Sequence, residues 1–235
     1  MFIDIHNHAL FGVDDGATEM EESIAILKDI RQQEGAGIIL TPHYRHGMFS
    51  YPFAQIRQNF LQLQKVAAEL GIKIFLGCEY HVDSNIIDAF GTGKCRTLAG
   101  GDYVLTEYSY MVEYSYMVEQ THRLLSCGYF PVIAHVERYK CIQKKPQLCE
   151  ELRDMGALIQ INADSVLGYD GREEEHTCKK LLKKGLASVI ASDTHGSKDR
   201  ACHMGECRRY VEKKYGPDYA EVLFIKNPVK IINNR

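Results

Sequence analysis

The chain has 235 residues, of which 45% are apolar and 25% charged, and its formal net charge is −3. This length and composition suit one globular domain spanning residues 1–235. A sequence pI near 6.4 provides no basic field for stable nucleic-acid binding, and no apolar stretch approaches the roughly 20 residues of a membrane span. We therefore expect a cytoplasmic protein without membrane insertion.

Seven short apolar segments alternate with amphipathic helical patterns along the chain. The predicted strands are residues 2–8, 37–41, 73–77, 103–106, 130–134, 157–161 and 187–191. The predicted helices cover residues 18–35 and 53–70, a segment ending near 128, residues 146–155, a segment ending near 185, and residues 199–215 and 219–226. This alternation favours an α/β fold whose parallel strands close into a barrel. An open doubly wound sheet is the alternative, but no Gly-x-Gly-x-x-Gly follows the first strand.

Polar side chains directly follow the strand residues in nearly every strand–helix unit. His6 and His8 share one face of the first strand, because side chains on a strand alternate between faces. The turn at residues 12–16 then supplies carboxylates. In a parallel barrel these strand ends meet at the C-terminal face, where barrel enzymes hold their catalytic groups. The candidate metal ligands are His6, His8, Asp14, His43, Glu79, Glu107, His135, Asp193 and His195.

These candidates comprise five imidazoles and four carboxylates and include no thiolate. Such a donor set suits manganese, iron or zinc at a catalytic centre rather than a structural zinc site. Because a glutamate can bridge two ions, the set predicts a polynuclear metal centre.

Eight cysteines favour reduced thiols over a disulfide framework or a zinc ribbon. No two of them are spaced as Cys-x-x-Cys, and no secretory signal precedes the first predicted strand. Cysteines in such a chain are expected to stay reduced in the cytoplasm.

Five motifs, in chain order FIDIHNH, TPHY, GCEYH, AHVERY and SDTHG, resemble those of the PHP superfamily of polymerase-associated and histidinol-phosphatase-like domains. The resemblance covers essentially the whole chain. Within the superfamily, the opening HNHALFGVDDGA and the motif AHVERY are most similar to the bacterial capsule-regulating PHP-type protein-tyrosine phosphatases. Membership in that group implies a distorted (β/α)7 TIM-like barrel with three divalent metal ions, usually manganese.

The resemblance also implies a role for each candidate residue. It assigns a first metal to His6, His8, Glu79 and Asp193, a second to Glu79, Glu107 and His135, and a third to Asp14, His43 and His195. Arg138 and Arg200 match the positions of the group's phosphate-binding arginines. The chain departs from the group's pattern directly after TPH: it has Tyr44-Arg45-His46 where small polar residues are expected.

The function implied by the resemblance is hydrolysis of phosphotyrosine on a bacterial tyrosine kinase that regulates capsular or exopolysaccharide synthesis. Metal-bound hydroxide would attack phosphorus, and a phenolate leaving group would need little protonation, although Asp15 or His46 could supply a proton. The alternatives are a histidinol-phosphate or other small-molecule phosphatase on the same metals, and a noncatalytic PHP regulatory module.

Two further sequence features compete with or lie outside this interpretation. Residues 202–208 fit the Cys-x-x-Gly-x-x-Arg pattern of cysteine-dependent tyrosine phosphatases, but they fall inside a predicted helix rather than in a phosphate-binding loop. The hexapeptide YSYMVE occurs twice in tandem, at residues 108–113 and 114–119, which is far too short for a repeat architecture.

Overall fold

The computed structural model describes residues 1–234, which form ten strands and eleven α-helices. The strands are β1 Phe2–Asn7, β2 Gly35–Leu40, β3 His43–Arg45, β4 Phe49–Ser50, β5 Lys73–Leu76, β6 Glu79–His81, β7 Tyr103–Glu107, β8 Phe130–Ile133, β9 Leu158–Asn162 and β10 Val189–Ala191. The helices are α1 Met20–Gln32, α2 Phe53–Glu69, α3 Ile86–Gly91, α4 Tyr114–Ser126, α5 Lys140–Lys144, α6 Leu148–Met155, α7 Ala163–Leu167, α8 Arg172–Lys183, α9 Met204–Tyr215, α10 Pro217–Glu221 and α11 Asn227–Asn233. None of the helices in this range is long and apolar enough to cross a membrane.

All seven predicted strands are present, and their bounds differ from the predicted ones by only a few residues. Three short strands, β3, β4 and β6, were not predicted, because segments of two or three residues carry no readable alternation. The helix predicted from residue 199 begins only at Met204. Residues 199–203 therefore lie in a loop, which leaves Arg200 free to face the site.

The strands pair in two sheets, with the orders β1-β2-β5 and β10-β9-β8-β7-β6-β3-β4. Every ladder is parallel except the β3–β4 hairpin. The chain passes from one sheet to the other at residues 41–42, between β2 and β3, and at residues 77–78, between β5 and β6. Across this break the Gly77 amide bonds the Leu40 carbonyl at 2.8 Å, and the Glu79 amide bonds the Pro42 carbonyl at 3.2 Å. Because Pro42 has no amide hydrogen, the β2 ladder cannot continue unbroken into β3.

β1 meets the segment that follows β10 at one parallel bridge, between Asn7 and Thr194. Among residues 1–234 the ladders do not form one continuous closed sheet. The mixed α/β class is thus confirmed, whereas closure of a (β/α)7 barrel stays a prediction.

Apolar side chains pack in two layers around the strands. One buried cluster lies between strands and helices, and Phe2, Leu27 and Leu63 are among its members. A second, smaller cluster gathers Ile5, Leu105 and other strand residues with Ile231 of α11. The strand backbones are thereby fixed by packing on both faces, so the residues at their carboxyl ends are held by a rigid scaffold.

A buried carboxylate fastens β1 to the segment after β10. The Ser192 amide and hydroxyl donate hydrogen bonds to Asp4 at 2.9 and 2.6 Å, and the Asn7 side chain donates another at 3.0 Å. Burial raises the pKa of Asp4, and these donors oppose that rise. The Asp193 amide then bonds the His6 carbonyl at 2.9 Å, which brings the last strand end beside the first histidine pair.

Candidate metal centre

Eight of the nine predicted ligands lie together at the carboxyl ends of the strands. The structure contains three overlapping groups of potential ligands, and within each group the ligand atoms lie within 4.8 Å of one another. The groups are His6, His8, Glu79 and Asp193; His43, Glu79 and Glu107; and His8, Asp15, His43 and His195. The eighth predicted ligand, His135, is outside these three groups. It follows β8, and its Nε2 lies 3.0 Å from Glu79 Oε1.

The first group is fully buried and centres on the Glu79 carboxylate. His6 Nε2 lies 3.1 Å from Glu79 Oε2 and 3.3 Å from Asp193 Oδ1, and His8 Nε2 lies 3.2 Å from Glu79 Oε2. The two Nε2 atoms are themselves only 3.2 Å apart. Within residues 1–234, Glu79 Oε2 has no hydrogen-bond partner despite its complete burial. Converging ring nitrogens around an unsatisfied carboxylate oxygen fit a bound cation.

The second group shares Glu79 with the first. His43 Nδ1 lies 3.0 Å from Glu79 Oε2, and His135 Nε2 lies 3.9 Å from Glu107 Oε1. The other Glu107 oxygen, Oε2, is 3.0 Å from His81 Nδ1, so a residue left outside the predicted set orients this carboxylate. Glu79 Oε2 therefore faces His6, His8 and His43, while Oε1 faces His135, and a carboxylate with ligand atoms around both oxygens has the geometry of a bridging ligand.

The third group contains Asp15, where the sequence assignment placed Asp14. Asp15 Oδ1 lies 3.4 Å from both His43 Nε2 and His195 Nε2. Asp14 instead accepts a hydrogen bond from His8 Nδ1 at 2.8 Å and from the His43 amide at 3.0 Å. The Asp14 carboxylate is thus engaged by the far ring nitrogen of His8, and Asp15 is the aspartate that faces His43 and His195.

The turn that separates these two aspartates is packed tightly against the first strand. A Cβ added to Gly16 would lie 2.1 Å from the His8 carbonyl oxygen, and the Ala17 amide donates to that same oxygen at 3.1 Å. Only glycine fits such a close approach of two backbones. The close turn directs Asp14 toward His8 and leaves Asp15 at the cavity.

The charged groups of the site are buried, and each shifts the pKa values of its neighbours. Although burial favours the neutral acids, His6 and His43 hold the pKa of Glu79 well below its usual range, and His6 and Arg138 do the same for Asp193. Burial disfavours the His8 cation, yet the Asp14 carboxylate outweighs it and raises the pKa of His8. The Glu79 and Asp193 carboxylates are therefore ionised at neutral pH and available to bind a cation.

Two amides of β9 orient the ligands and were not identified from the sequence. Gln160 Oε1 lies 3.0 Å from His6 Nδ1 and accepts a hydrogen bond from the His135 amide at 3.0 Å. Asn162 donates to Asp193 Oδ2 at 3.0 Å and accepts from the Gln160 side chain at 2.7 Å. Hydrogen bonds of this kind fix the orientation of metal-binding residues. The sequence feature that could have identified them is the spacing of Gln160 and Asn162, which places two amide side chains on one face of a buried strand.

The backbone is strained at three positions of the site. His135, Asp193 and Arg200 have φ values of 32°, 55° and 52°, in the left-handed region that non-glycine residues rarely adopt. Such strain persists where surrounding contacts fix the conformation, and it is common at functional sites.

Both predicted arginines line a cavity of about 170 Å³ above the clusters. Arg138 Nη1 donates to Asp193 Oδ2 at 2.9 Å, and its Nη2 lies 3.5 Å from Asp170 Oδ2. Arg200 is half-exposed, and its Nη2 lies 3.5 Å from the same Asp193 oxygen. Two guanidinium groups beside a buried anionic floor can bind the oxygens of a phosphate group.

The cysteine motif does not form a competing site. Cys202 is buried just before α9, where burial raises the pKa of its thiol and so disfavours the nucleophilic thiolate. Arg208 of the motif bonds Glu212 at 2.7 Å. Neither Cys202 nor Arg208 lines the cavity. All eight cysteines are free thiols.

Comparison with known proteins places these residues in a family. A family model described as capsular polysaccharide synthesis, CpsB/CapC, matches residues 2–233. The chain is 35% identical over 237 residues to the tyrosine-protein phosphatase CpsB of Streptococcus pneumoniae, and the match covers 98% of each protein. It is 30% identical over 223 residues to the tyrosine-protein phosphatase YwqE of Bacillus subtilis strain 168, covering 94% of this chain and 88% of YwqE.

Solved structures agree with the sequence comparison. A structure described as one of YwqE from Bacillus subtilis and CpsB from Streptococcus pneumoniae, unique metal-dependent tyrosine phosphatases, matches with a TM-score of 0.92 and 29% identity, covering 99% of this chain and 95% of the other. Histidinol phosphate phosphatase from Lactococcus lactis matches with a TM-score of 0.61 and 18% identity, covering 92% and 94%, which shows a shared fold. The predicted PHP fold is thereby confirmed, and the chain belongs to the CpsB/CapC family of capsular polysaccharide synthesis.

Proposed function

We propose that this chain is a metal-dependent tyrosine-protein phosphatase that hydrolyses phosphotyrosine. The observation that carries the proposal is the set of three overlapping His/Asp/Glu clusters beneath a cavity lined by Arg138 and Arg200. Its relatives CpsB and YwqE are tyrosine-protein phosphatases, and this supports the same reaction here.

We infer three divalent ions, of which manganese best suits a mixed imidazole and carboxylate set, with iron and zinc also compatible. Glu79 would hold two of them. Such ions, when bound, supply Lewis acidity and a water nucleophile of lowered pKa. The proposed ligands are His6, His8, Glu79 and Asp193 for the first ion, Glu79, Glu107 and His135 with His43 nearby for the second, and Asp15, His43 and His195 for the third.

The two arginines would bind and orient the phosphate oxygens. Arg138 is fixed by Asp193 and Asp170, so its guanidinium is oriented before substrate arrives. A phenolate leaves with a pKa of about 10 and needs less protonation than an alkoxide. Asp15 is a poor proton donor, because its hydrogen bond with His195 holds its pKa below the usual range, and His46 does not line the cavity.

The exchange of Asp14 for Asp15 in the third site gives a testable prediction. Asp15→Asn is expected to lower the metal content by about one ion per chain, because an imidazole pair alone binds weakly. Asp14→Asn keeps the ion count and weakens metal affinity about 10- to 100-fold, because His8 loses its orienting carboxylate. Elemental analysis and chelator competition measure the two effects. Loss of an ion in the Asp14 variant alone would restore the sequence assignment.

We infer that the target is a tyrosine-phosphorylated protein of capsule synthesis, most simply the kinase that regulates it. The family description as capsular polysaccharide synthesis supports this assignment. Eight free thiols favour a reducing compartment, which supports a cytoplasmic location for the encounter.

Phosphate release from two substrates tests the proposed reaction. The manganese-loaded protein is expected to hydrolyse a phosphotyrosine peptide with a kcat/KM at least about tenfold above that for histidinol phosphate, because its aryl ester has the better leaving group. A preference for histidinol phosphate would instead make the protein a small-molecule phosphatase. Absence of hydrolysis of either ester by the metal-loaded protein would favour a noncatalytic role.

A further inference from the structure

The rim of the cavity carries apolar side chains that the phosphate chemistry does not use. Tyr110, in the loop after β7, is 54% exposed, and Met48, in the turn between β3 and β4, is 65% exposed. Both line the same cavity as Arg138 and Arg200. Large apolar side chains left exposed at the mouth of a charged cavity can contact an apolar part of the substrate.

The backbone beneath Tyr110 is firmly held although its side chain is exposed. The Tyr110 carbonyl accepts a hydrogen bond from the Lys140 amide at 3.0 Å. On either side, the Tyr108 amide donates to the Tyr139 hydroxyl at 3.1 Å, and the Val112 amide bonds the Ser109 carbonyl at 2.9 Å. The loop therefore presents the ring of Tyr110 from a fixed position, which lowers the entropic cost of a contact with substrate.

The two copies of the hexapeptide YSYMVE differ in where they place their tyrosine and methionine side chains. Tyr116 is the counterpart of Tyr110 in the second copy, and it lies in α4, where it packs edge-on against Tyr108 with centroids 6.4 Å apart. Met111 is 73% exposed, whereas its counterpart Met117 is completely buried. Only the first copy places an aromatic side chain at the cavity.

The chemistry of the substrate supplies a partner for these side chains. In phosphotyrosine the phenyl ring is bonded to phosphorus through the leaving oxygen alone. When the phosphate group lies on the floor of the cavity, between the clusters and the two arginines, the ring extends toward the rim. An aromatic ring beside Tyr and Met side chains gains stacking and sulfur–aromatic contacts that an alkyl ester cannot make.

We propose that Tyr110 and Met48 form a subsite for the phenyl ring of the substrate, through which the enzyme binds aryl phosphate esters more tightly than alkyl ones. The inference rests on the proposed function and deepens it by identifying the residues that recognise the organic part of the ester. Tyr110 is a specificity-determining residue and takes no part in the transfer of the phosphoryl group.

Calorimetric titration of the manganese-loaded protein with phenylphosphonate and methylphosphonate tests the subsite without relying on turnover. Tyr110→Ala is expected to weaken phenylphosphonate binding about three- to tenfold and to leave methylphosphonate within about twofold. Tyr110→Phe retains the ring and both affinities. Met48→Ala weakens phenylphosphonate about threefold. Met111→Ala, in the same loop but outside the cavity lining, is the matched control and changes neither affinity.

The outcomes separate failure of the subsite from failure of the proposed function. If Tyr110→Ala weakens both phosphonates equally, or neither, the aryl subsite is overturned while the phosphatase assignment stands on hydrolysis of the phosphotyrosine peptide. If the unmodified metal-loaded protein binds neither phosphonate and hydrolyses no peptide, the proposed function fails and the subsite fails with it.

Discussion

Glu79→Gln is expected to lower kcat/KM for a phosphotyrosine peptide by at least about 10³-fold, more than the 10- to 100-fold typical of residues that only orient a ligand. Glu79 is the carboxylate around which His6, His8 and His43 converge, at 3.0–3.2 Å from its Oε2. The amide keeps the size and one oxygen of the side chain but removes the charge shared by two of the proposed metal sites. Activity and metal content should therefore fall together.

The control for Glu79→Gln is Glu119→Gln. Glu119 lies exposed on α4, so this change removes the same charge without touching the clusters. It should leave activity and metal content unchanged. Thermal unfolding of both variants checks that each is folded. A folded Glu79→Gln protein that retained more than about a tenth of the activity would contradict the assignment of Glu79 as a bridging ligand.

Arg138→Lys is expected to lower kcat/KM about 100-fold, the scale of removing one preorganised donor from an active site. Lysine keeps the positive charge but has no planar fork, so it cannot bond Asp193 and approach phosphate oxygens in one geometry. Arg138 is largely shielded and donates to Asp193 at 2.9 Å. Steady-state kinetics on the phosphotyrosine peptide measure the loss, and the affinity for methylphosphonate should fall as well.

The loss of kcat/KM in Arg138→Lys is compared with the losses in two further arginine-to-lysine variants. Arg200 is 47% exposed and lies 3.5 Å from Asp193 Oδ2, so Arg200→Lys should cost only about tenfold. Arg123 donates to Gln120 and Ser84 away from the cavity, and Arg123→Lys should have no effect. If Arg138→Lys behaved like Arg123→Lys, the proposed phosphate-binding role of Arg138 would be wrong.

Most residues of the proposed site could be selected from the sequence, because strand ends are easy to identify where strands and helices alternate along the chain. Once the strands are placed, residues such as His6, Glu79 and His135 must lie at one edge of the scaffold. The structure brings them together as expected.

The choice between Asp14 and Asp15 could not be made in the same way. Adjacent residues in a turn point in different directions according to the backbone dihedrals. Here the direction depends on the close packing of Gly16 on His8, a contact between residues eight positions apart that the identities of Asp14 and Asp15 do not encode. The same limit hid the short strands β3 and β6, which exist only because neighbouring strands pair with them.

The duplicated hexapeptide is the clearest case of context overriding local sequence. Identical residues form an irregular loop at 108–113 and the start of a helix at 114–119. The first copy follows β7 directly and is tied to Lys140 and Tyr139, whereas the second packs its apolar side on the core. Propensity is identical in the two copies, so the flanking chain and the tertiary contacts decide the outcome.

Phosphate release from a phosphotyrosine peptide, measured before and after removal of metal, tests whether the protein is a metal-dependent phosphatase. Protein stripped with a chelator should lose its activity and recover it when manganese is restored, with about three ions per chain in the active form. Hydrolysis that survived complete removal of metal would contradict a metal-dependent mechanism and favour nucleophilic attack by Cys202.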